Sequence, residues 1–346
     1  MKALVAEPGV AHTTRVDDIP EPRGDGVLLR VLEVGVCGTD REISEGLFGI
    51  APEGSARLVL GHESLAVVEQ DGHGFAKGDL VCGTVRRSCR HCLACAEGAP
   101  DSCLTGDYSE RGITRLDGFA RELVLEDPDQ LIPIPPDLGR LAVLAEPTSI
   151  CARGVRHALT IGRRQPWEPK RALVTGAGAV GLLSTMLLRL EGLEVWTASL
   201  EPSSPVAEAL GAHYVSTRGS TLSQLGRFDI VVEGAGDAQL MADALGLLGR
   251  SGVACLLGID AREQKVTLDG RVLGFDTVLE NRVLFGSVNA NKLDWLAGVD
   301  ALDRARREFP GALEQLIGLR VPLDRFADAF AFHGGKATLV LDDRLG

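Results

Sequence analysis

Four cysteines crowd one short stretch, at Cys89, Cys92, Cys95 and Cys103. Four thiolates this close along a chain can wrap one tetrahedral zinc and leave it no open position, which would make the site structural. A redox dithiol, a pair of disulfides and an iron–sulfur cluster are the competing chemistries, the last because cysteine spacings overlap between metal classes. A second set is scattered. Cys37-Gly38-Thr39-Asp40 and Gly61-His62-Glu63 carry a thiolate, an imidazole and a carboxylate on separate loops. These are suitable ligands for a catalytic zinc that keeps one position for substrate. The plainer reading of the same residues is a buried small cysteine and an ordinary, partly buried histidine.

A third stretch binds rather than reacts. Leu173-Val174-Thr175-Gly176-Ala177-Gly178-Ala179-Val180-Gly181 is a short apolar run, a glycine-rich turn and the start of an apolar helical pattern that continues to Leu190. In that strand–turn–helix context G-x-G-x-x-G reads as a dinucleotide site. Gly176 permits the tight turn, Gly178 the approach of a pyrophosphate to backbone, and Gly181 close packing of helix on strand. The pyrophosphate would rest on free N–H groups at the helix N-terminus.

The elements that must position these groups follow from apolar patterning. Before about residue 140 the chain offers short apolar runs and turn residues, with few helical periods, so an irregular β-rich domain is expected. Its strands include Met1–Val5, Val27–Leu32 and one running from Leu116 to Leu125 out of a glycine turn. Helical periodicity begins at Leu141 and extends to about His157, with Glu146 at its boundary before Pro147. From Leu173 onward, strands at Glu194–Ser199, Phe228–Val232, Gly252–Leu257 and Val283–Phe285 alternate with helical patterns, which implies a parallel sheet covered on both faces. The last stretch, from Leu293, has one long helical pattern and a strand-like Ala337–Leu341.

The 346 residues allow about two domains, and 45% hydrophobic content fits a globular chain. A net charge of −12 argues against nucleic acid as the main partner, since no basic excess meets phosphates. No secretory signal pattern and no apolar run of about 18 residues appears, so a cytoplasmic protein with no membrane span is expected.

In their order along the chain, Cys37-Gly38-Thr39-Asp40, Gly61-His62-Glu63, the four-cysteine lobe, Asp117-Gly118-Phe119-Ala120, Glu146-Pro147 and the glycine loop resemble the zinc-dependent medium-chain alcohol dehydrogenases. Cys37 to Ile43, His73-Gly74-Phe75, Gly192 to Trp196 and Gly286-x-Val288-Asn289 make the chain most similar to the archaeal-type glucose dehydrogenases. The resemblance implies an α/β protein: a Rossmann doubly wound parallel sheet at 156–289, and a β-rich, GroES-like catalytic domain at 1–155 to which 290–346 returns. The crevice between domains would be the default ligand site. It further implies one catalytic zinc on Cys37, His62, Glu63 and Glu146, one structural zinc on the four cysteines, and Thr39 at the start of a proton relay. Cofactor contacts would come from Gly176, Gly178, Val180, Gly181, Ser199, Glu201, Gly234, Leu257 and Asn289, and sugar contacts from Glu110, Glu146 and Asn289.

The implied reaction is reversible hydride transfer between a polyhydroxylated secondary or hemiacetal alcohol, such as a glucose-like sugar, and a nicotinamide, with a likeness also to homo-oligomers, dimers or tetramers. Two departures stand out. Where NADP-accepting relatives resemble an Asn-Arg-Arg pattern, this chain has Ser199-Leu200-Glu201, which offers an acid to a free ribose hydroxyl and no arginine to a 2′-phosphate; NAD is expected over NADP. Val85 and Ile150 fall where an Asn and an Asp would align, so a cyclitol, amino-cyclitol or other polyol with a less polar face is the alternative substrate. A non-catalytic nucleotide-binding protein retaining the fold is the alternative of another class, and would predict lost metal ligands.

Overall fold

The run Val27–Val36 is apolar at nearly every position and forms one ten-residue strand, buried along most of its length. Sequence patterning ends the strand at Leu32; the structure carries it on to Val36, with a register shift between Val31 and Glu33 against its neighbour. The computed structural model describes residues 1–260, Arg262 and residues 264–344. They divide into two compact units, Met1–Glu146 with Asn289–Asp303 and Ile317–Gly346, and Pro147–Val288 with Arg304–Leu316.

In the first unit Val27–Val36 is the hub of a seven-stranded sheet. Glu63–Val68 pairs antiparallel along it, Lys336–Val340 pairs with its C-terminal half and Leu123–Glu126 with its N-terminal half. The register sets Gly35 opposite Glu63 and Val36 opposite Ala337. Three chain segments distant in sequence thus end or begin at one corner of the sheet. Helices of the first 135 described residues are short, Gly38–Ser44 and Leu93–Ala96.

The expected strand from Leu116 to Leu125 is broken. Arg115–Leu116 and Leu123–Glu126 are strands, but the residues between them leave the ladder. Phe119 and Ala120 donate instead to the carbonyls of Gly61 and Leu60, bracing the loop that carries His62. A strand pattern was overridden there by a loop–loop contact that no local periodicity encodes. Sequence reading placed no strand at His213–Ser216 or at Ile317–Pro322, the latter parallel to Lys336–Val340.

The second unit is a six-stranded, wholly parallel sheet. Its order is His213–Ser216, Glu194–Ser199, Arg171–Thr175, Phe228–Glu233, Leu248–Leu256, Val283–Gly286. In chain order that is 3-2-1-4-5-6, the doubly wound arrangement whose ligands bind beyond the carboxyl ends of the strands where the order reverses. Leu173, Phe228, Val231, Leu245, Leu248 and Ala254 form its core. Among the described residues no helix is long and apolar enough to cross a membrane.

Candidate active site and metal centres

Cys37 ends the hub strand and caps the helix Gly38–Ser44. Its sulfur accepts from the Thr39 N–H, and the Asp40 carboxylate reaches back to the Cys37 N–H, a reciprocal cap that fixes the cysteine side chain. His62 immediately precedes the neighbouring strand, and its Nε2 lies 3.1 Å from Cys37 Sγ. Glu63 begins that strand opposite Gly35. A methyl group on Gly35 would sit 2.0 Å from Glu63 Oε2, so only glycine leaves room for this carboxylate. Glu146 joins from the first turn of the helix Ala145–Gly162.

Candidate ligand atoms of His62, Glu63 and Glu146 lie within 4.8 Å of one another, as do those of Cys37, Asp40 and His62. Sequence reasoning missed two partners. Lys336, first residue of its strand, places Nζ 2.6 Å from both oxygens of Glu63 and 3.2 Å from the Val36 carbonyl. Asp40 faces His62, with Oδ1 3.6 Å from Nδ1. Lys336 carried no local signal, because strand register alone brings it here. Asp40 was visible as the fourth residue of the Cys37 motif.

The electrostatics of this buried, mostly acidic cluster suit a bound cation. Burial pushes the Glu146 carboxyl up to about 8, and the neighbouring Glu63 charge adds to the rise. Burial opposes charge on His62, but the Cys37 sulfur and the Asp40 carboxylate outweigh it and hold the imidazole well above its usual range. Lys336 is likewise held above its ordinary value, Glu63 outweighing the cost of burial. His62 Nδ1 and Asp40 Oδ1 are buried without a partner at hydrogen-bond distance. A cation on Nε2 would keep the proton on Nδ1, facing Asp40, the arrangement in which a carboxylate orients a ligating histidine. The donor set of one sulfur, one imidazole and carboxylates therefore fits zinc.

The lobe is a different kind of site. Sulfurs of Cys89, Cys92, Cys95 and Cys103 lie within 4.8 Å of one another, with Cys92 and Cys103 3.9 Å apart. Four thiolates each about 2.3 Å from a tetrahedral zinc stand about 3.8 Å apart, so the spacing fits such an ion. All eight cysteines are free thiols, which removes the paired-disulfide alternative. Burial raises Cys95 to about 11, whereas the hydrogen bond from the His91 backbone lowers Cys89 to about 5.

The proposed sugar-contacting residues Glu110 and Asn289 meet within the first unit. Asn289 Nδ2 donates to Glu110 Oε1 at 2.8 Å, and Arg86 Nε donates to the same oxygen at 3.0 Å. Asn289 Oδ1 accepts from the Ala290 N–H, so its amide is oriented at both ends. Arg86 also donates to the Asp101 carbonyl at 2.9 Å, inside the cysteine lobe. Val85 is 2% exposed, packed as a core residue.

In the second unit Gly176 to Gly181 form the turn between the strand Arg171–Thr175 and the helix Ala179–Leu190. A Cβ on Gly181 would stand 2.0 Å from the Gly176 carbonyl oxygen, so close packing of helix on turn requires glycine. Gly178, the helix N-cap, has open space where a Cβ would be, and its side offers the helix no cap of its own. Such an N-terminus suits an anion. The Cys151 thiol donates to the Val180 carbonyl. Glu233 braces the turn holding Gly234 by accepting from the Ala235 and Gly236 N–H groups, while its backbone carbonyl accepts from Leu257. At the end of the second strand, Ser199 Oγ donates to the Glu201 carboxylate.

Comparison with known proteins agrees with this anatomy. Residues 23–136 match the family described as "Alcohol dehydrogenase GroES-like domain", and residues 139–342 the one described as "Glucose dehydrogenase C-terminus". A glucose 1-dehydrogenase of Methanocella arvoryzae is 41% identical over 94% of each chain, and a glucose 1-dehydrogenase 1 of Caldivirga maquilingensis 41% identical over 99% of each. Among solved structures, Haloferax mediterranei glucose dehydrogenase in complex with NADP, Zn and gluconolactone superposes with a TM-score of 0.90 at 29% identity, covering 99% of each chain. Likeness at this identity, running through the metal lobe and the parallel sheet alike, reflects common descent: the chain belongs to the zinc-dependent medium-chain alcohol dehydrogenases, in their glucose dehydrogenase branch.

Proposed function

We propose that this chain is a zinc-dependent dehydrogenase of sugars, moving a hydride between a polyhydroxylated alcohol and a nicotinamide, with NAD preferred over NADP. The observation that carries the reading is the convergence of Cys37 with the buried His62, Glu63 and Glu146 from two strand ends and a helix start. Zinc held by these residues would supply Lewis acidity that lowers the pKa of a substrate hydroxyl, and a nicotinamide would supply the hydride acceptor. Cys37 and His62 are the first two ligands. Glu63, neutralised by Lys336, and Glu146, able to hold a proton near neutral pH, are the carboxylates that ligate or exchange with solvent and substrate. Thr39, on the first turn after Cys37, begins the path by which a hydroxyl proton leaves.

Glu110 and Asn289 hold sugar hydroxyls, Glu110 through Oε2, to which no hydrogen bond is made among the described residues. The apolar Val85 favours a substrate with one less polar face, so a cyclitol or polyol is the second reading. The glycine loop with Val180, Gly234 and Leu257 seats the dinucleotide. For cofactor choice the support is chemical: Ser199-Leu200-Glu201 presents a carboxylate, held below its usual range by the Ser199 hydrogen bond, where a 2′-phosphate would be repelled. The Val283–Gly286 strand is a sheet edge bearing the exposed Leu284, which supports a homo-oligomer formed across that edge.

The experiment is a panel of sugars, polyols and cyclitols with NAD and with NADP, followed by absorbance of the reduced nicotinamide, alongside metal analysis. About two zinc ions per chain and a higher kcat/KM with NAD are expected. A chain without zinc ends the metal reading; higher kcat/KM with NADP ends the cofactor preference.

A further inference from the structure

The glutamate that reads the cofactor does not stand alone. Ser199 ends the strand Glu194–Ser199, and Glu201 lies two residues beyond it in an exposed turn before Pro202. A carboxylate on such a turn discriminates poorly unless the turn is fixed, because a swinging acid can retreat from a phosphate it should repel. Here the turn is tied down at both ends. The Ser199 carbonyl accepts from the Thr217 N–H at 2.8 Å and from its Oγ1 at 3.1 Å. The Glu201 carbonyl accepts from the Tyr214 hydroxyl at 2.7 Å, and that hydroxyl also lies 3.0 Å from Ser199 Oγ. Ser199 Oγ in turn donates to the Glu201 carboxylate.

The sheet explains why a tyrosine reaches this far. His213–Ser216 lies parallel to Glu194–Ser199, with Tyr214 opposite Thr197. Residues two apart on a strand share a face, so Tyr214, Thr197 and Ser199 point the same way. A phenol is long enough to span from the Thr197 level past the strand end. Upstream, the Ala198 carbonyl accepts from the Gly176 N–H at 2.8 Å, which joins the same strand end to the glycine turn. Arg218, one residue after Thr217, is the neighbouring cation: its charge helps hold Glu201 ionised, the smallest of the influences on that carboxyl.

We propose that Tyr214 is the positioning residue for cofactor choice: its hydroxyl clamps the Ser199–Glu201 turn so that the carboxylate is presented rigidly to the adenosine ribose, which raises affinity for NAD and rejection of NADP. This rests on the reading of Glu201 as the NAD-selecting acid. Tyr214 touches neither reacting atoms nor the substrate in this arrangement. Its influence passes through the turn it holds.

The test is fluorescence titration of the zinc-loaded enzyme with NADH and with NADPH, for the wild type, Tyr214→Phe, Glu201→Ala and the double variant. Loss of one such hydrogen bond should weaken NADH binding about fivefold to tenfold and tighten NADPH binding as the freed carboxylate retreats, so the NADPH:NADH ratio of Kd values falls by at least that factor. In the Glu201→Ala background the phenylalanine should shift that ratio less than about twofold, because the acid being positioned is gone. A merely structural tyrosine would weaken both dinucleotides together and would do so in either background. Ser199→Ala, which removes the hydroxyl that donates to the Glu201 carboxylate, is expected to move the ratio in the same direction and serves if Tyr214→Phe does not fold. A wild type that binds NADPH more tightly overturns the NAD reading and this proposal with it. A wild type that prefers NADH, with the ratio unmoved in Tyr214→Phe, leaves the NAD reading standing and overturns the clamp.

Discussion

The two candidate metal centres of the first unit solve the same electrostatic problem in opposite ways. The cysteine lobe takes all its ligands from residues 89–103, keeps two of its sulfurs half-exposed and surrounds the site with backbone donors. The Cys37 cluster gathers its candidate ligands from three places along the chain, buries His62, Glu63 and Glu146, and adds a lysine as counter-charge. In the first, chain connectivity keeps the anions together and a cation completes the fold of the loop. In the second, sheet register does so, and the anions can be held only because Lys336 and a shifted Glu146 reduce the net charge. Local ligands make a rivet; assembled ligands make a site whose charge can change during a reaction.

That contrast predicts different losses. Cys37→Ala should lower turnover by about 10³-fold or more, since Lewis-acid activation is worth several kcal/mol, while one zinc of the two remains bound. Cys92→Ser should instead reduce the melting temperature by about 5–10 °C with turnover per folded molecule far less affected. Metal analysis, calorimetry and steady-state rates on both variants decide it; equal effects on rate and stability would erase the distinction.

How legible each region is follows from the same difference. The lobe could be read outright, because four cysteines at short spacing need no tertiary information. The glycine loop could be read because the strand Arg171–Thr175 and the helix Ala179–Leu190 flank it with opposite periodicities. Cys37, His62 and Glu63 were found as residue types in motifs, but their mutual reach depended on Gly35 pairing with Glu63, a fact of register. Lys336 and Tyr214 were not legible, since each acts across strands with no signal in its own neighbourhood. The strand placed at Leu116–Leu125 failed for a related reason: Phe119 and Ala120 spend their N–H groups on Gly61 and Leu60, so tertiary bracing of the His62 loop replaced the local ladder.

The acid–base behaviour of the assembled site offers a second, smaller separation. In the metal-free protein Glu146 titrates near 8, against an ordinary value of 4.5 once unfolded. The folded state therefore keeps a proton that the unfolded chain sheds, and this group's contribution makes stability fall as pH rises from about 4.5 to about 8, then level off. Zinc reverses the advantage, because a ligating or zinc-facing carboxylate must lose that proton. The rise in melting temperature on adding zinc should thus grow from about pH 6 to about pH 8, and Glu146→Gln should flatten that growth. Calorimetry of metal-free and zinc-loaded protein across this range is the measurement; a zinc increment that shrinks with pH would contradict the buried, proton-holding carboxyl. The lobe adds a slope of its own, because Cys95, raised to about 11, must also lose a proton to bind zinc, so the part of the growth that Glu146→Gln removes is the part that reports on Glu146.

The smallest expected effect tests whether the two regions are independent at all. Arg86 donates to Glu110 Oε1 with one edge of its guanidinium and to the Asp101 carbonyl, between Cys95 and Cys103, with another. The planar fork can hold both acceptors at once, and the ring of Tyr108 lies 3.9 Å from its central carbon. A lysine keeps the charge but not the fork, so Arg86→Lys should free Glu110 from the lobe. Since we place Glu110 against a substrate hydroxyl, KM for the preferred polyol should rise about threefold to tenfold, the worth of one charge-assisted hydrogen bond weakened. KM for a simple secondary alcohol, which has no flanking hydroxyl for Glu110 to meet, should stay within about twofold. If both constants rise together, Arg86 merely packs the domain, and the lobe is a rivet with no say in recognition. If only the polyol constant rises, the rivet also sets the position of a recognition carboxylate, and stripping zinc from the lobe should reproduce the same selective loss before the protein unfolds.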